Sequence, residues 1–577
     1  MKMKFNIPAA IIIFFILYVL LICVRPLYSP DEARYVEIPR EMLADHDFVT
    51  PRLNGARYFE KPVMGYWLIA GSIRVFGENA FAGRLVPAVS TGLAALIVLL
   101  LAIKMTGRRE LGLYAAGCFL LMPLVFIIGT TCTLDASFSL FVTATVASFY
   151  CAVDGYLGKK HLKCVLWLLA TGAAAGCAFL VKGFLAFALP VMAVLPWLIW
   201  EKRWKAIFTL PWLPFVVALI VIAPWAILVH RAQPDFWRYF VMEEHFARFF
   251  GGAEAEHPHG PFYFVLTVLW GAAEWFLLSP AIGFGFRKIG VRGDRNSWFR
   301  FLICWFAGPF LFLSASSGKL PTYILPCFPA LAIMISAGLF RYFEECPDGK
   351  GKLFNVPLLV FAVLGVIAGP VALIVVQYVL PKYYGINFYD KSETWKFFIM
   401  FNVFVLVLFG AIAAFTEKKP ARKLSYFLST AFPLFVASFF IVPQSVNDAR
   451  SMDDFLEECR DEITPDTIVI AHGSNLHAIC FAYHRTDLYV IFPGELTYGL
   501  SCKEAEEKDK KRNLPYSHVQ RLMNENPGKK VVMFFPADRY YDHHPSISYP
   551  PAISVKKSIP GDPEDKHANG QVLVRFQ

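Results

Sequence analysis

The sequence predicts an α-helical polytopic membrane protein with a small α/β domain after its last span. Three observations lead there. The 577-residue chain is 56% hydrophobic and only 17% charged, with a mean hydropathy of +0.48, whereas a soluble chain carries about 25% charged residues. Its apolar residues gather in runs close to the ~20 residues that cross a bilayer. The stretch 444–577 breaks that pattern and turns polar. A disordered chain, a coiled coil and a basic nucleic-acid-binding domain are excluded. The +10 net charge lies in short Lys/Arg clusters between apolar runs, so membrane lipid is an expected partner and nucleic acid is not.

Lys2 and Lys4 precede an apolar run from Phe5 to Val24. The run is long for a cleaved signal peptide and lacks a small-residue cleavage site, so an uncleaved first span is expected. Spans follow near 81–103, 111–130, 134–153, 164–181, 184–200, 208–229, 262–285, 299–315, 322–340, 356–378, 396–415 and 424–443, about thirteen with the first. An odd number places the termini on opposite faces. With the N-terminus inside, the inner segments hold 22 Lys/Arg in 63 residues and the outer loops 14 in 116. That bias fixes the expected orientation: loops 25–80 and 230–261 and the tail lie outside. Nine of the 12 cysteines lie in or beside apolar runs, where a thiol behaves as a small hydrophobe. Cys459, Cys480 and Cys502 in the tail allow one disulfide at most, and no Cys/His spacing suggests zinc.

The expected domains are thus 1–443, spanning the membrane, and 444–577, outside it. In the tail, Thr467–Ala471, Leu488–Phe492, Lys530–Phe535 and Val572–Phe576 read as strands, Asp453–Cys459 and Tyr516–Asn524 as helices. The charged run Lys503–Arg512 reads as a solvated loop or helix face.

Several polar residues need a reason. Ser29-Pro30-Asp31-Glu32 reads as a capping box, with Ser29 at the N-cap and Pro30 at the first helical position. Tyr35, Ile38 and Met42 then form a stripe that predicts a helix lying on the membrane surface. The box leaves Asp31 unassigned. Tyr58-Phe59-Glu60-Lys61-Pro62 crowds charge beside a proline. Asp135 opens a span, where a carboxylate is either functional or a complement to the helix dipole. Lys182 sits between two apolar runs, free to snorkel or to pair. In the second loop, aromatic spacing predicts another interfacial helix, with His245 and Arg248 sharing a face. His257 and His259 follow, and a mobile polar loop explains them more simply than a metal. Ser316–Tyr323 is a short outer turn holding Lys319 and Tyr323, and Glu274 in mid-span reads as a structural or paired carboxylate.

Together Asp31, Arg34, Tyr58, Glu60, Lys61, Asp135, Lys182, Arg248, Lys319 and Tyr323 all fall on the predicted outer side. Clustered cations and tyrosines suit a phosphate or pyrophosphate headgroup, and adjacent carboxylates suit general-base or positioning work. A phospholipid-like substrate held by its tail in the bilayer is expected.

Four segments then resemble a known family. Pro30-Asp31-Glu32-Ala33-Arg34-Tyr35, Tyr58-Phe59-Glu60-Lys61-Pro62, Thr133-Leu134-Asp135 and Ser317-Gly318-Lys319-Leu320-Pro321-Thr322-Tyr323-Ile324-Leu325-Pro326 resemble the membrane glycosyltransferases of C-type fold, relatives of the protein O-mannosyltransferases. The likeness covers most of 1–443 and is nearest to the bacterial branch that modifies lipid A with aminoarabinose. It implies an inverting enzyme of the bacterial inner membrane, working on the periplasmic face with a polyprenyl-phosphate-linked sugar as donor and lipid A or another lipid or glycan as acceptor. By the resemblance Asp31 takes the place of the family's acidic residue and Asp135 shares its cavity. Tyr58, Lys61, Arg248 and Tyr323 hold the donor phosphate, and Glu60 with His245 binds a divalent metal cation. No organic cofactor is implied.

Two other readings are open. A sister enzyme would transfer another sugar, such as mannose, to a protein or glycan hydroxyl. A lipid-linked sugar flippase should show inverted repeats and broken helices at the midplane; the sequence has no visible repeat, and its charges gather on one face.

Overall fold

The computed structural model describes residues 12–247, 257–293, 296–379, 389–501, 512–515, 518–537, 539, 552–558 and 570–576. The chain forms two compact units, 12–22 with 84–441, and 23–83 with 442–576. The first outer loop therefore folds with the tail instead of with the spanning part, where the sequence had placed it.

The first unit is helical. Among the described residues, seven helices are long and apolar enough to cross a membrane, or eight if the pair Arg109–Leu120 and Pro123–Gly129, bent by 67°, is one span. Thirteen is not reached by this measure, because several expected spans coincide with short or interrupted helices. Leu185–Trp200 carries two internal prolines, and 263–289 is cut into Tyr263–Gly271, Ala273–Leu277 and Ser279–Ile289. Proline removes a ladder hydrogen bond and clashes with the preceding turn. The most buried spans are Asp135–Leu157 and Pro321–Glu345, whereas Thr394–Thr416 buries 11% of its apolar window. The central pair carries Asp135 and Tyr323. Glu274 lies in the first turn of the middle piece of the interrupted segment, and its Oε1 is buried without a hydrogen-bond partner among the described residues.

The second unit holds a hairpin of β1 (Arg52–Leu53) and β2 (Ala56–Arg57), and a five-stranded sheet of β3 (Ile468–His472), β4 (Tyr489–Ile491), β5 (Val531–Pro536), β6 (Ser554–Lys557) and β7 (Gln571–Arg575). The sheet order is β4-β3-β5-β7-β6, with β3 parallel to β4 and β5 and β7 antiparallel to β5 and β6. The four expected strands are present. β6 was not foreseen, because its Ser-Val-Lys-Lys sequence is an exposed edge without an apolar face. Ile470, Ile491, Val519, Val531, Met533, Phe535, Val572 and Val574 close one core, each contributing about 1.5–3 kcal/mol by burial. Cys459 and Cys480 are free thiols.

Asn54-Gly55 turns the hairpin with φ of 54° and 67°, the left-handed pair that a two-residue hairpin requires. That turn also ties the loop to the tail. The Asn54 side chain donates to the Leu488 carbonyl at 2.9 Å and accepts from its amide at 3.0 Å, while Arg512 donates to the Asn54 carbonyl at 2.5 Å. Arg512 is 5% exposed, so the end of the charged run is buried; Lys503–Lys511 lie outside the described residues.

The helix Asp31–Asp45 departs from expectation twice. Pro30 is its N-cap, and no side chain caps it. Glu32 instead accepts from the Arg25 guanidinium at 2.6 and 3.2 Å and from the Tyr28 amide at 3.0 Å, and the capping box is not made. Nor is its polar side open, as a simple amphipathic stripe implies. Glu37, Arg40 and Glu41 are buried as deeply as Ile38 and Met42. Glu37 takes Arg40 bidentately, both bonds 2.7 Å, and Glu41 accepts the Asn54 and Gly55 amides at 2.5 and 3.0 Å. A buried charge survives only when paired, and these pairs fix the helix inside its unit.

Candidate functional site

In the second unit, the first turns of Asp31–Asp45 bring Asp31 and Arg34 onto one face, since residues three apart are neighbours on a helix. Arg34 is the hub. Its Nη2 donates to Asp31 Oδ1, its Nη1 donates to Glu495 Oε2, and Nη1 lies 3.2 Å from the Tyr58 hydroxyl. Tyr58 donates to the same Glu495 oxygen at 2.6 Å. Burial disfavours the Arg34 charge, but Tyr58, Tyr35 and Asp31 outweigh it and hold the guanidinium above its ordinary pKa. Asp31 is the open member, with its side chain 61% exposed, against 32% for Glu495 and 10% for Arg34. Lys61 Nζ donates to the Glu60 carbonyl at 2.9 Å, and Glu60 is buried.

Glu495 escaped the sequence reading. It lies in Gly494–Leu496, 437 positions from Tyr58, and only the Pro493-Gly494 turn marked its neighbourhood. His477 was missed as well. It is buried, its Nδ1 has no hydrogen-bond partner among the described residues, and burial, followed by the Arg34 charge, pushes its pKa down to about 3. Between that value and the ordinary 6.5 the unfolded chain binds a proton that the folded one does not. Stability is therefore complete above pH 6.5 and is lost as pH falls below it, at about 1.4 kcal/mol per unit. Thermal unfolding of the full chain at pH 7 and pH 5 should show a drop that His477→Asn reduces. An unchanged drop would contradict a neutral buried imidazole.

In the first unit, Asp135 begins Asp135–Leu157 and Lys182 ends His161–Lys182. Their side chains pair at 2.6 Å, 12% and 10% exposed. The Lys182 ammonium also lies 5.3 Å from the Tyr323 ring centroid and 5.9 Å from that of Phe138. Lys182 is therefore a paired cation and not a lone snorkelling one. Tyr323 rides on Pro321–Cys327, a 3-10 helix.

Gly183, next to Lys182, has a φ of +71°, and a Cβ there would stand 2.6 Å from both His245 Nε2 and Phe240 Cζ. The close approach seats the π-helix Tyr239–Ala247 on Gly183. In that helix the ring nitrogen His245 Nδ1 is 2.7 Å from the Phe240 carbonyl. A helix is thus present up to Ala247, with Met242 and Phe246 outward and Phe240 buried. Arg248 and its shared face with His245 lie outside the described residues. So the first unit gathers Asp135, Lys182, Tyr323 and His245, and the second gathers Asp31, Arg34, Tyr58, Glu60, Lys61 and Glu495.

The Lys319 ammonium donates to the carbonyls of His259, at 2.8 Å, and Ser316. As for the metal, no group of three or more His, Cys, Asp or Glu among the described residues is arranged to hold one.

Comparison with known proteins adds three findings. Residues 3–240 match the family model of dolichyl-phosphate-mannose-protein mannosyltransferase. The undecaprenyl phosphate-α-4-amino-4-deoxy-L-arabinose arabinosyl transferase of Shewanella sediminis is 34% identical over 518 residues, covering 88% of this chain and 90% of that protein. Its counterpart numbered 2 in Sodalis glossinidius is 35% identical over 497 residues, 85% of this chain and 86% of that one. The crystal structure of ArnT from Cupriavidus metallidurans bound to undecaprenyl phosphate superposes with a TM-score of 0.79 over 99% of both chains at 21% identity. At that identity the likeness speaks for the fold.

Proposed function

The chain belongs to the undecaprenyl phosphate-α-4-amino-4-deoxy-L-arabinose arabinosyl transferase family, and on that premise we propose that it moves aminoarabinose from undecaprenyl phosphate to a phosphate of lipid A. It is a multi-pass membrane glycosyltransferase with a polyprenyl-phosphate-linked sugar donor. Lys/Arg asymmetry supports a bacterial inner-membrane orientation with the loops and the tail on the periplasmic face.

In the reaction the bond between the sugar's anomeric carbon and the donor phosphate oxygen breaks. An oxygen of the acceptor phosphate forms the new bond from the opposite face, inverting that carbon. Undecaprenyl phosphate leaves with an added negative charge. Cations placed where charge grows supply the largest catalytic term in many enzymes. Lys61 and Arg34, with Tyr58, are our candidates in the second unit, and Lys182 and Tyr323 in the first. The family resemblance adds Arg248. An acceptor phosphate is already anionic at neutral pH, so Asp31 has no proton to remove, and its work is to orient Arg34.

The Arg34 cluster is the observation that carries this reading, because it presents two carboxylates around a phosphate-seeking cation. The sugar's amine is protonated near neutral pH and calls for an anionic partner. Glu495 Oε2 is occupied by Arg34 and Tyr58, which leaves Oε1 to the sugar. With purified protein in proteoliposomes, Glu495→Gln should raise the donor KM about tenfold, the worth of one charged hydrogen bond, while kcat changes less. An unchanged KM would remove Glu495 from sugar recognition.

A further inference from the structure

Lys319 is 3% exposed, and its contacts describe a clasp. Its ammonium donates to the His259 and Ser316 carbonyls, and its own amide donates to the His257 carbonyl at 3.1 Å. The His259 amide returns a bond to the Ser317 carbonyl at 3.4 Å, and Pro258 bridges Gly318 in antiparallel fashion. Ser316 Oγ donates to the Leu313 carbonyl at 2.7 Å, closing the end of the preceding helix. Segments 257–260 and 316–319 are thereby pinned together beside a cavity of about 480 Å³. Immediately afterwards Leu320 N-caps Pro321–Cys327, and the Tyr323 amide donates to the Leu320 carbonyl at 3.1 Å. Whatever fixes Lys319 fixes the start of the helix that aims Tyr323 at Lys182.

We propose that Lys319 is a positioning residue for Tyr323, clasping two segments so that the Tyr323 ring stands against Lys182, and that it does not itself touch the donor phosphate. An ammonium committed to two carbonyls in a closed site is a strong tie, since losing it strands both acceptors. A short 3-10 helix has few hydrogen bonds of its own to hold its direction. The proposal rests on the donor-phosphate reading of Tyr323.

The test is a double-mutant cycle on the full chain in detergent, reading the affinity for undecaprenyl phosphate. Lys319→Met should weaken binding about tenfold, and in a Tyr323→Phe background the same change should weaken it less than about twofold, because coupled residues are non-additive. Hydrogen exchange at the amides of His259, residue 319 and Tyr323 should rise in Lys319→Met. An equal loss in both backgrounds, or no loss in either, overturns the proposal. Should Lys319→Met fail to fold, His259→Pro, which removes the returning amide from the other side of the clasp, replaces it in the same cycle with the same criteria. Lys61→Met separates the premise: if it leaves undecaprenyl phosphate affinity intact, the donor-phosphate reading fails whatever Lys319 does.

Discussion

Asp31→Asn is expected to lower kcat by about 10²–10³-fold with little change in the donor KM, the usual loss when a charge-stabilising group is disarmed. Arg34 donates to Asp31 and Glu495 through its two Nη atoms. Removing the Asp31 charge releases one side of that guanidinium, and the cation that we propose serves the departing phosphate loses its fixed direction. Because the acceptor phosphate needs no base, the pH–rate profile between pH 5 and 9 should keep its shape. A hydroxyl acceptor would demand a proton acceptor, and Asp31→Asn would then erase the acidic limb. Steady-state kinetics across that range decide it: an erased limb makes Asp31 a general base and contradicts the phosphate acceptor.

The second large effect belongs to the Asp135–Lys182 pair. Removing one partner of a buried ion pair costs about 3–5 kcal/mol, because the other charge is stranded, whereas replacing both with neutral groups is far milder. With 12% and 10% exposure and the Phe138 and Tyr323 rings beside the ammonium, Lys182 has little water to fall back on. Asp135→Ala and Lys182→Met should each destabilise the protein strongly in detergent melts. The double variant should lose clearly less than the sum. Additive losses would mean that the two charges do not meet.

The two units were unequally legible. Spans announce themselves through length and composition, and four tail strands through apolar runs between turns. Asp31, Lys61, Asp135 and Tyr323 stood out because charge and tyrosine at a membrane edge demand a reason. What stayed hidden is non-local. Glu495 is an ordinary acid until the chain carries it to Tyr58, and no periodicity announces that meeting. The helix Asp31–Asp45 was legible through its apolar stripe, while the pairing that buries its charged face was not, because it depends on Arg40 within the helix and on Asn54-Gly55 beyond it. Asn54-Gly55 was itself a readable hairpin signal that the charged residues around it overshadowed. Lys319 was legible as important, but its tie to the His259 carbonyl is not local to it in sequence and was not.

The most direct test is mass spectrometry of lipid A from bacteria lacking and expressing the full chain, with Lys61→Met beside the unaltered protein. Aminoarabinose should appear on the lipid A phosphates only with the unaltered chain. Lipid A that stays unmodified although the protein is folded in the membrane and its undecaprenyl-phosphate-linked donor is present would contradict the assignment.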